Sequence, residues 1–216
     1  MSVIIATLFL IAFALIVVFS ERPITLGASA AKQEEEAMSA LTAKYNEDFN
    51  LISISSRIDN NDLSKYQVQC WQDVEPIIVF SAIIKHGEIL YDNYVASKLC
   101  RAVEEEINHE IWSGRKDISF VYVDAGMTPP WDNNADITLR EYVEKHDAVF
   151  TAHMFTTKLS NDLEVLADNI GDLVVDGVTI RKKLYAVSRE ALFAIQYCLM
   201  DDRDIEAIVQ KVKNET

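Results

Sequence analysis

Apolar side chains fill the chain from Ser2 to Phe19 without a charge, a glycine or a proline. As a helix rising ~1.5 Å per residue, the run nearly matches a hydrocarbon core of about 30 Å. In lipid the backbone must satisfy its own hydrogen bonds, so a helix is the form expected there. The pattern predicts a transmembrane anchor over residues 2–19, with the lipid bilayer as its partner. No Lys or Arg precedes the run, unlike a secretory leader, although Ala28-Ser29-Ala30 offers a small-residue cleavage site well past its end. An uncleaved anchor is favoured over cleavage after Ala30. Residues 20–32, with Pro23 and Gly27, read as a stalk.

From residue 33 to 216 the pattern changes to one body of mixed periodicities. Ala37, Leu41 and Tyr45 recur every four residues and predict a helix over 33–47, with Glu34, Glu35 and Glu36 in its first turn. Leu51 to Ser55 and Tyr66 to Cys70 read as strands around a turn at Asn60-Asn61-Asp62. Ile77 to Ile84 is almost continuously apolar, as in a strand covered on both faces. Val95, Leu99, Val103, Ile107 and Ile111 place a broad apolar stripe on a long helix from Tyr91 to Trp112.

Ile118 to Val123 predicts a strand, and Thr138 with Glu141 three residues on predicts a capped helix start. Ala148 to Thr157 alternates, putting Ala152 and Met154 on one face and Thr151, His153 and Phe155 on the other. A short helix is expected after Asn161, where Glu164 stands at the capping distance. Asp176-Gly177 marks a turn before a strand over 178–187. Ser188 and Asp201 each cap a further helix. The fold class expected is α+β, a mainly antiparallel or mixed sheet with helices packed mainly on one side, preceded by the membrane helix.

Charge narrows the partners. Lys and Arg number 20 against 34 Asp and Glu, a net charge of -14, so a polyanion is repelled and nucleic acid is not expected as a partner. The basic run Arg181-Lys182-Lys183 reads as a solvated strand face. Cys70, Cys100 and Cys198 are too few and too far apart for a disulfide scaffold, and they read as buried thiols.

Candidate chemistry is sparse. Glu106 and His109 share a helical face as in half of a carboxylate-bridged metal site, but no second Glu-x-x-His completes it, so no metal ligand is assigned. His146 falls at a helix end, where a cation complements the dipole, and His86 falls in a turn. There is no glycine-flanked serine elbow and no glycine-rich phosphate loop, so neither a catalytic residue nor a cofactor is assigned. Asp92, Asp124 and Asp132 remain as separated carboxylates that a fold could bring together. The loop from Gly126 to Asn134 stiffens Met127 and Trp131 with Pro129 and Pro130, and these two apolar side chains are the candidate partner contacts.

Lys44-Tyr45 through Phe49, the strands after them, and Tyr91-Asp92-Asn93-Tyr94 at the head of a helix resemble small uncharacterised extracytoplasmic domains of Gram-positive bacteria, tethered by one N-terminal helix. The resemblance implies an extracytoplasmic body on a single-pass protein of the cell membrane, and it carries no activity onto these residues. Anchor, acidic body and missing catalytic constellation together predict a membrane-anchored accessory or binding protein of the cell envelope, whose partner is an envelope or membrane protein. An envelope hydrolase and a structural subunit of a membrane complex are the alternatives.

Overall fold

Alternation of large and polar side chains makes a strand of Lys65–Gln72 (β2), and the β-branched apolar run makes one of Ile78–Lys85 (β3); in both every second residue meets the core. The computed structural model describes residues 28–55, 62, 64–74, 77–114, 118–157, 166, 168, 170–199 and 205–215. In it, Asn50–Ser55 (β1) and Glu88–Asp92 (β4) flank this pair in an antiparallel sheet of order β1-β2-β3-β4, every strand beside its neighbour in sequence. His86 and Gly87, both at positive φ, make the two-residue turn between β3 and β4.

Helix α1, Ala28–Tyr45, lies against this sheet through the buried Ala37, Leu41 and Tyr45. Phe49, Phe80 and Tyr94 join Tyr45 there in edge-to-face and tilted contacts, with ring centroids 4.6–5.1 Å apart for the pairs Tyr45–Tyr94, Phe49–Phe80, Phe49–Tyr94 and Phe80–Tyr94. Burying one such ring contributes about 2–3 kcal/mol. Helix α2, Tyr94–Gly114, buries the expected stripe of Val95, Leu99, Val103 and Ile107 and touches both β3 and the next strand, Phe120–Asp124 (β5).

β5 opens a second sheet with Thr151–Thr156 (β6), Leu173–Val175 (β7) and Val178–Ala186 (β8), in the order β5-β6-β8-β7. β5 pairs antiparallel with β6, but β6 pairs parallel with β8, so the sheet is mixed. β7 and β8 form a hairpin about Asp176 and Gly177, both at positive φ. Helix α3, Leu139–His146, opens with the complete capping box of Thr138 and Glu141 and packs on the face that carries Val121, Val123, Ala152 and Met154. Helices α4, Arg189–Cys198, and α5, Ile205–Glu215, cover the opposite face in a second apolar cluster around Phe155, Ile195, Ile208 and Val209.

Several expectations change. Helices cover both faces of the second sheet, not mainly one side. β3 is buried only on alternate residues, and Ile77 just before it is 49% exposed, because the outer face of the first sheet lines a groove instead of a second packed layer. α1 includes Ala28 to Lys32, part of the expected stalk, where Ala28-Ser29-Ala30-Ala31 favours helix. Asn60, Asn61, the helix after Asn161 and the Asp201 cap lie outside the described residues.

The membrane part of the expectation does not stand. Among the described residues no helix is long and apolar enough to cross a membrane. α2 has the length, 21 residues or ~31 Å, but carries Lys98, Arg101, Glu104, Glu105 and Glu106, which the hydrocarbon interior disfavours. The expected anchor at 2–19 lies outside the described residues. The fold class is α+β with mixed sheet pairing, and no membrane helix occurs among the described residues. The bilayer partner, the single-pass placement with an extracytoplasmic body, and the envelope accessory, hydrolase and subunit roles that rest on the anchor fall with it.

Candidate functional site

The alternation of three neighbouring strands puts Asp124 of β5, His153 of β6, and Lys183 and Tyr185 of β8 on the face covered by α4 and α5. His153 stands opposite Tyr122 on one side and Lys183 on the other. Asp124 and Tyr185 therefore flank the imidazole diagonally, at opposite ends. Asp124 Oδ2 is 2.5 Å from His153 Nε2, and the Tyr185 hydroxyl is 3.0 Å from Nδ1. The His153 and Tyr185 rings stack within 8° of parallel, and Phe155 also stacks on Tyr185 at 4.9 Å.

Hydrogen bonding holds Asp124 in its ionised form and burial holds Tyr185 in its protonated one. Although burial acts to raise it, the Asp124 carboxyl is held below the usual carboxylate value by the bond with His153 and by the Gly126 N–H at 2.8 Å. Burial, with the nearby charges of Glu206 and Asp124, pushes the Tyr185 phenol up to about 12. Asp124 is thus ionised and Tyr185 protonated near neutrality. His153 itself is 1% exposed.

This row floors a cleft of about 700 Å³ walled by Ile205, Glu206, Val209 and Gln210 of α5 and by Gly126 and Met127 of the loop after β5. Lys183 and Glu206 form an ion pair at its side. On the far side of the same loop a groove of about 550 Å³ runs between the outer face of the first sheet and the head of α2, lined by Ile52, Ile77, Val79, Ala96, Phe120 and Pro129. Both spaces share Asp124, Gly126 and Met127, so these residues form a ridge between a polar cleft and an apolar groove. Glu104 lies at the groove's base and accepts from the Val123 N–H at 2.8 Å. Burial pushes its carboxyl up, only partly offset by Arg101 and by that N–H.

The ridge is held from behind. Tyr91 donates to the Pro129 carbonyl at 3.0 Å, Tyr142 donates to the Pro130 carbonyl, and the Tyr45 hydroxyl lies 3.4 Å from the Asp132 carbonyl. The Asp132 side chain, 1% exposed, meets Lys145 at 2.8 Å and His146 at 2.6 Å. Burial opposes its ionisation, yet the bonds from Lys145, the Asn134 N–H and His146 hold its carboxyl well below the usual range. Met127 itself is 83% exposed.

Of the residues singled out from sequence, Met127 lines both spaces, whereas Trp131 lines neither. Trp131 is 39% exposed, and Lys44 Nζ sits 4.5 Å from its ring centroid. Asp92, Asp124 and Asp132 do not form one centre. Asp92 is taken up by Lys44 and Tyr45, Asp132 by Lys145 and His146, and Asp124 by His153. Glu106 and His109 are exposed on α2, and among the described residues no cluster of three metal-ligating side chains occurs. Arg181, Lys182 and Lys183 split between the two faces, Lys182 donating to the Gly171 carbonyl at 2.7 Å. Sequence reasoning missed Tyr185 and Glu206. The signal for Tyr185 was its alternation with Lys183, and Glu206 had none, since nothing local says which sheet α5 covers.

Fold and site together define an α+β protein of two four-stranded sheets bridged by a long helix, with a polar cleft and an apolar groove meeting at one loop. No family model and no curated protein matches the chain. Among solved structures it is similar to the crystal structure of a DUF5037 family protein from Ruminococcus gnavus. The TM-score is 0.51 and the identity 17%, over 81% of this chain and 86% of that one. At this identity the likeness concerns the fold alone. The resemblance to membrane-tethered domains of Gram-positive bacteria is corrected accordingly, since its short motifs at Lys44-Tyr45 and Tyr91 to Tyr94 belong to the aromatic packing between α1 and α2 and mark no membrane family.

Proposed function

We propose that this protein is a recognition domain that binds a segment of a partner protein across the ridge at Gly126 and Met127, seating an apolar side chain of that segment in the groove lined by Ile52, Ile77 and Pro129. The observation that carries this reading is Met127, 83% exposed on a loop that tyrosine hydroxyls and buried Asp132 fix from beneath. A fixed loop loses little conformational freedom on binding, so the contact area of a flexible, polarisable Met side chain is gained at low entropic cost. The groove offers more apolar area, with Ile52 and Ile77 each 49% exposed. Trp131, with Lys44 above its ring, extends the contact surface on the same loop.

Covalent chemistry is less well supported at this site. A phenol that keeps its proton to about 12 is a poor nucleophile near neutrality, and both ring nitrogens of the buried His153 are already engaged by Asp124 and Tyr185. Selection from a displayed random-peptide library, followed by calorimetry on the enriched peptides, tests the reading. Peptides with apolar anchors should emerge, and Met127→Asp should weaken them by about ten-fold or more. Failure to enrich any peptide, or equal binding by Met127→Asp, rejects it.

A further inference from the structure

With a neutral imidazole the cleft carries more negative than positive charge, and the bonding of three side chains sets which groups there can accept. An ionised Asp124 has no proton to give, so its 2.5 Å contact requires N–H at His153 Nε2. In the neutral imidazole the lone pair then lies on Nδ1, and the Tyr185 hydroxyl donates to it. A hydroxyl that has given its proton inward can only accept from the cleft side. Gln210 and Thr151 can adapt to either role, which leaves the charges to decide.

Those charges are Asp124, Glu206 and Lys183, one negative in sum when His153 is neutral, within a chain of net charge -14. Lys183 and Glu206 offset one another, so the excess negative charge is that of Asp124. Glu206 is 61% exposed in its side chain and Asp124 21%, so both carboxylates reach the cleft. Opposite them, Ile205, Val209 and Met127 supply an apolar wall of the kind along which a long basic side chain lays its methylenes.

We infer that the cleft takes the ammonium or guanidinium group of a lysine or arginine on the bound segment, held by Asp124 and Glu206 with its stem along Ile205 and Val209. This rests on the recognition reading and deepens it: the apolar groove takes the anchor, the polar cleft takes the charge, and Met127 lies between them. Charge-assisted hydrogen bonds to a carboxylate are stronger than neutral ones, and the acidic surface steers a basic segment toward the site.

The test titrates the full-length protein with Nα-acetyl-arginine amide and with Nα-acetyl-norleucine amide, following the Gly126 amide and the His153 ring by NMR. The arginine amide should bind about ten-fold or more tightly than its uncharged counterpart, and raising salt to about 0.5 M should weaken it several-fold. Asp124→Asn should remove most of that preference. Should that variant fail to fold, Glu206→Gln, at an exposed position, should still reduce the preference several-fold. Equal binding of the two amides, or a preference unchanged in Glu206→Gln, overturns the inference. Library peptides that depend on Met127 yet lack basic residues also overturn it and leave the recognition reading intact. An arginine amide that binds at Asp124 while no displayed peptide depends on Met127 does the reverse.

Discussion

His146 Nε2 lies 2.6 Å from Asp132 Oδ2, which ties the end of α3 to the loop that presents Met127. Lys145 reaches the same oxygen at 2.8 Å, so one buried carboxylate holds two neighbouring side chains of one helix. Asp132→Ala leaves both without their partner and releases the loop. It should cost about 3 kcal/mol in chemical denaturation, and amide exchange should accelerate over residues 126–134.

Stability should depend on pH in two opposed windows. Asp124 and Asp132 have depressed folded values, so their contribution is complete above the unfolded value of about 3.9 and is lost as pH falls through the folded ones. Glu104 has a raised folded value, so its contribution is complete below about 4.3 and lost as pH rises through the folded one. The denaturation midpoint should therefore peak on the acidic side of neutrality. Glu104→Gln should flatten the decline above that peak, and an unchanged slope in a pH series of urea melts contradicts the assignment.

Met127 and Trp131 should separate in a stability measurement. Met127→Ala removes an exposed side chain and should change unfolding free energy by less than about 0.5 kcal/mol. Trp131→Ala removes a half-covered ring and its contact with Lys44, and should cost about 1–2 kcal/mol. A loss of about 3–5 kcal/mol, as for a fully buried ring, would make Trp131 a lid on the core.

Gly177 has φ +73°, and a Cβ there would overlap the Arg140 guanidinium. That guanidinium donates to the Asp176 carbonyl at 3.0–3.2 Å. Gly177→Ala should cost about 2 kcal/mol, roughly half from the left-handed backbone and half from the displaced arginine. In an Arg140→Ala background only the backbone part should remain, which a double-mutant cycle measures directly.

Among the described residues no disulfide joins Cys70, Cys100 and Cys198. Burial pushes the Cys70 thiol up to about 12, so it should stay unreactive toward a thiol reagent until the chain unfolds. Cys198, half-buried at the end of α4, should label first, and mass spectrometry after brief alkylation reads the order.

Local signals in the sequence located many elements but could not place them against one another. Thr138 with Glu141, Ser188, and Asp176-Gly177 carry their geometry in adjacent residues, and the structure has those caps and that turn. The alternation of Thr151, His153 and Phe155 was equally legible. What covers that face was not, because α4 and α5 reach it only after the chain has made a parallel crossover from β6 to β8. The continuous apolar run at Ile77 to Ile84 looked like a doubly covered strand, since an exposed groove and a packed layer ask for the same residue types. Three-residue β7 is too short for any period to show.

The pairing of β6 with β8 also sets an order of assembly. Strands β1 to β4 each meet the strand that precedes or follows them, so the first sheet can form from short-range closures. The row of Asp124, His153 and Tyr185 needs three strands, one of them parallel and distant in sequence, and its cleft needs the last helix as a wall. A chain emerging from the ribosome carries the apolar groove's β-sheet wall early and completes the polar cleft only when α5 is out. Binding competence at the cleft thus reports that α5 has been made and folded onto the second sheet.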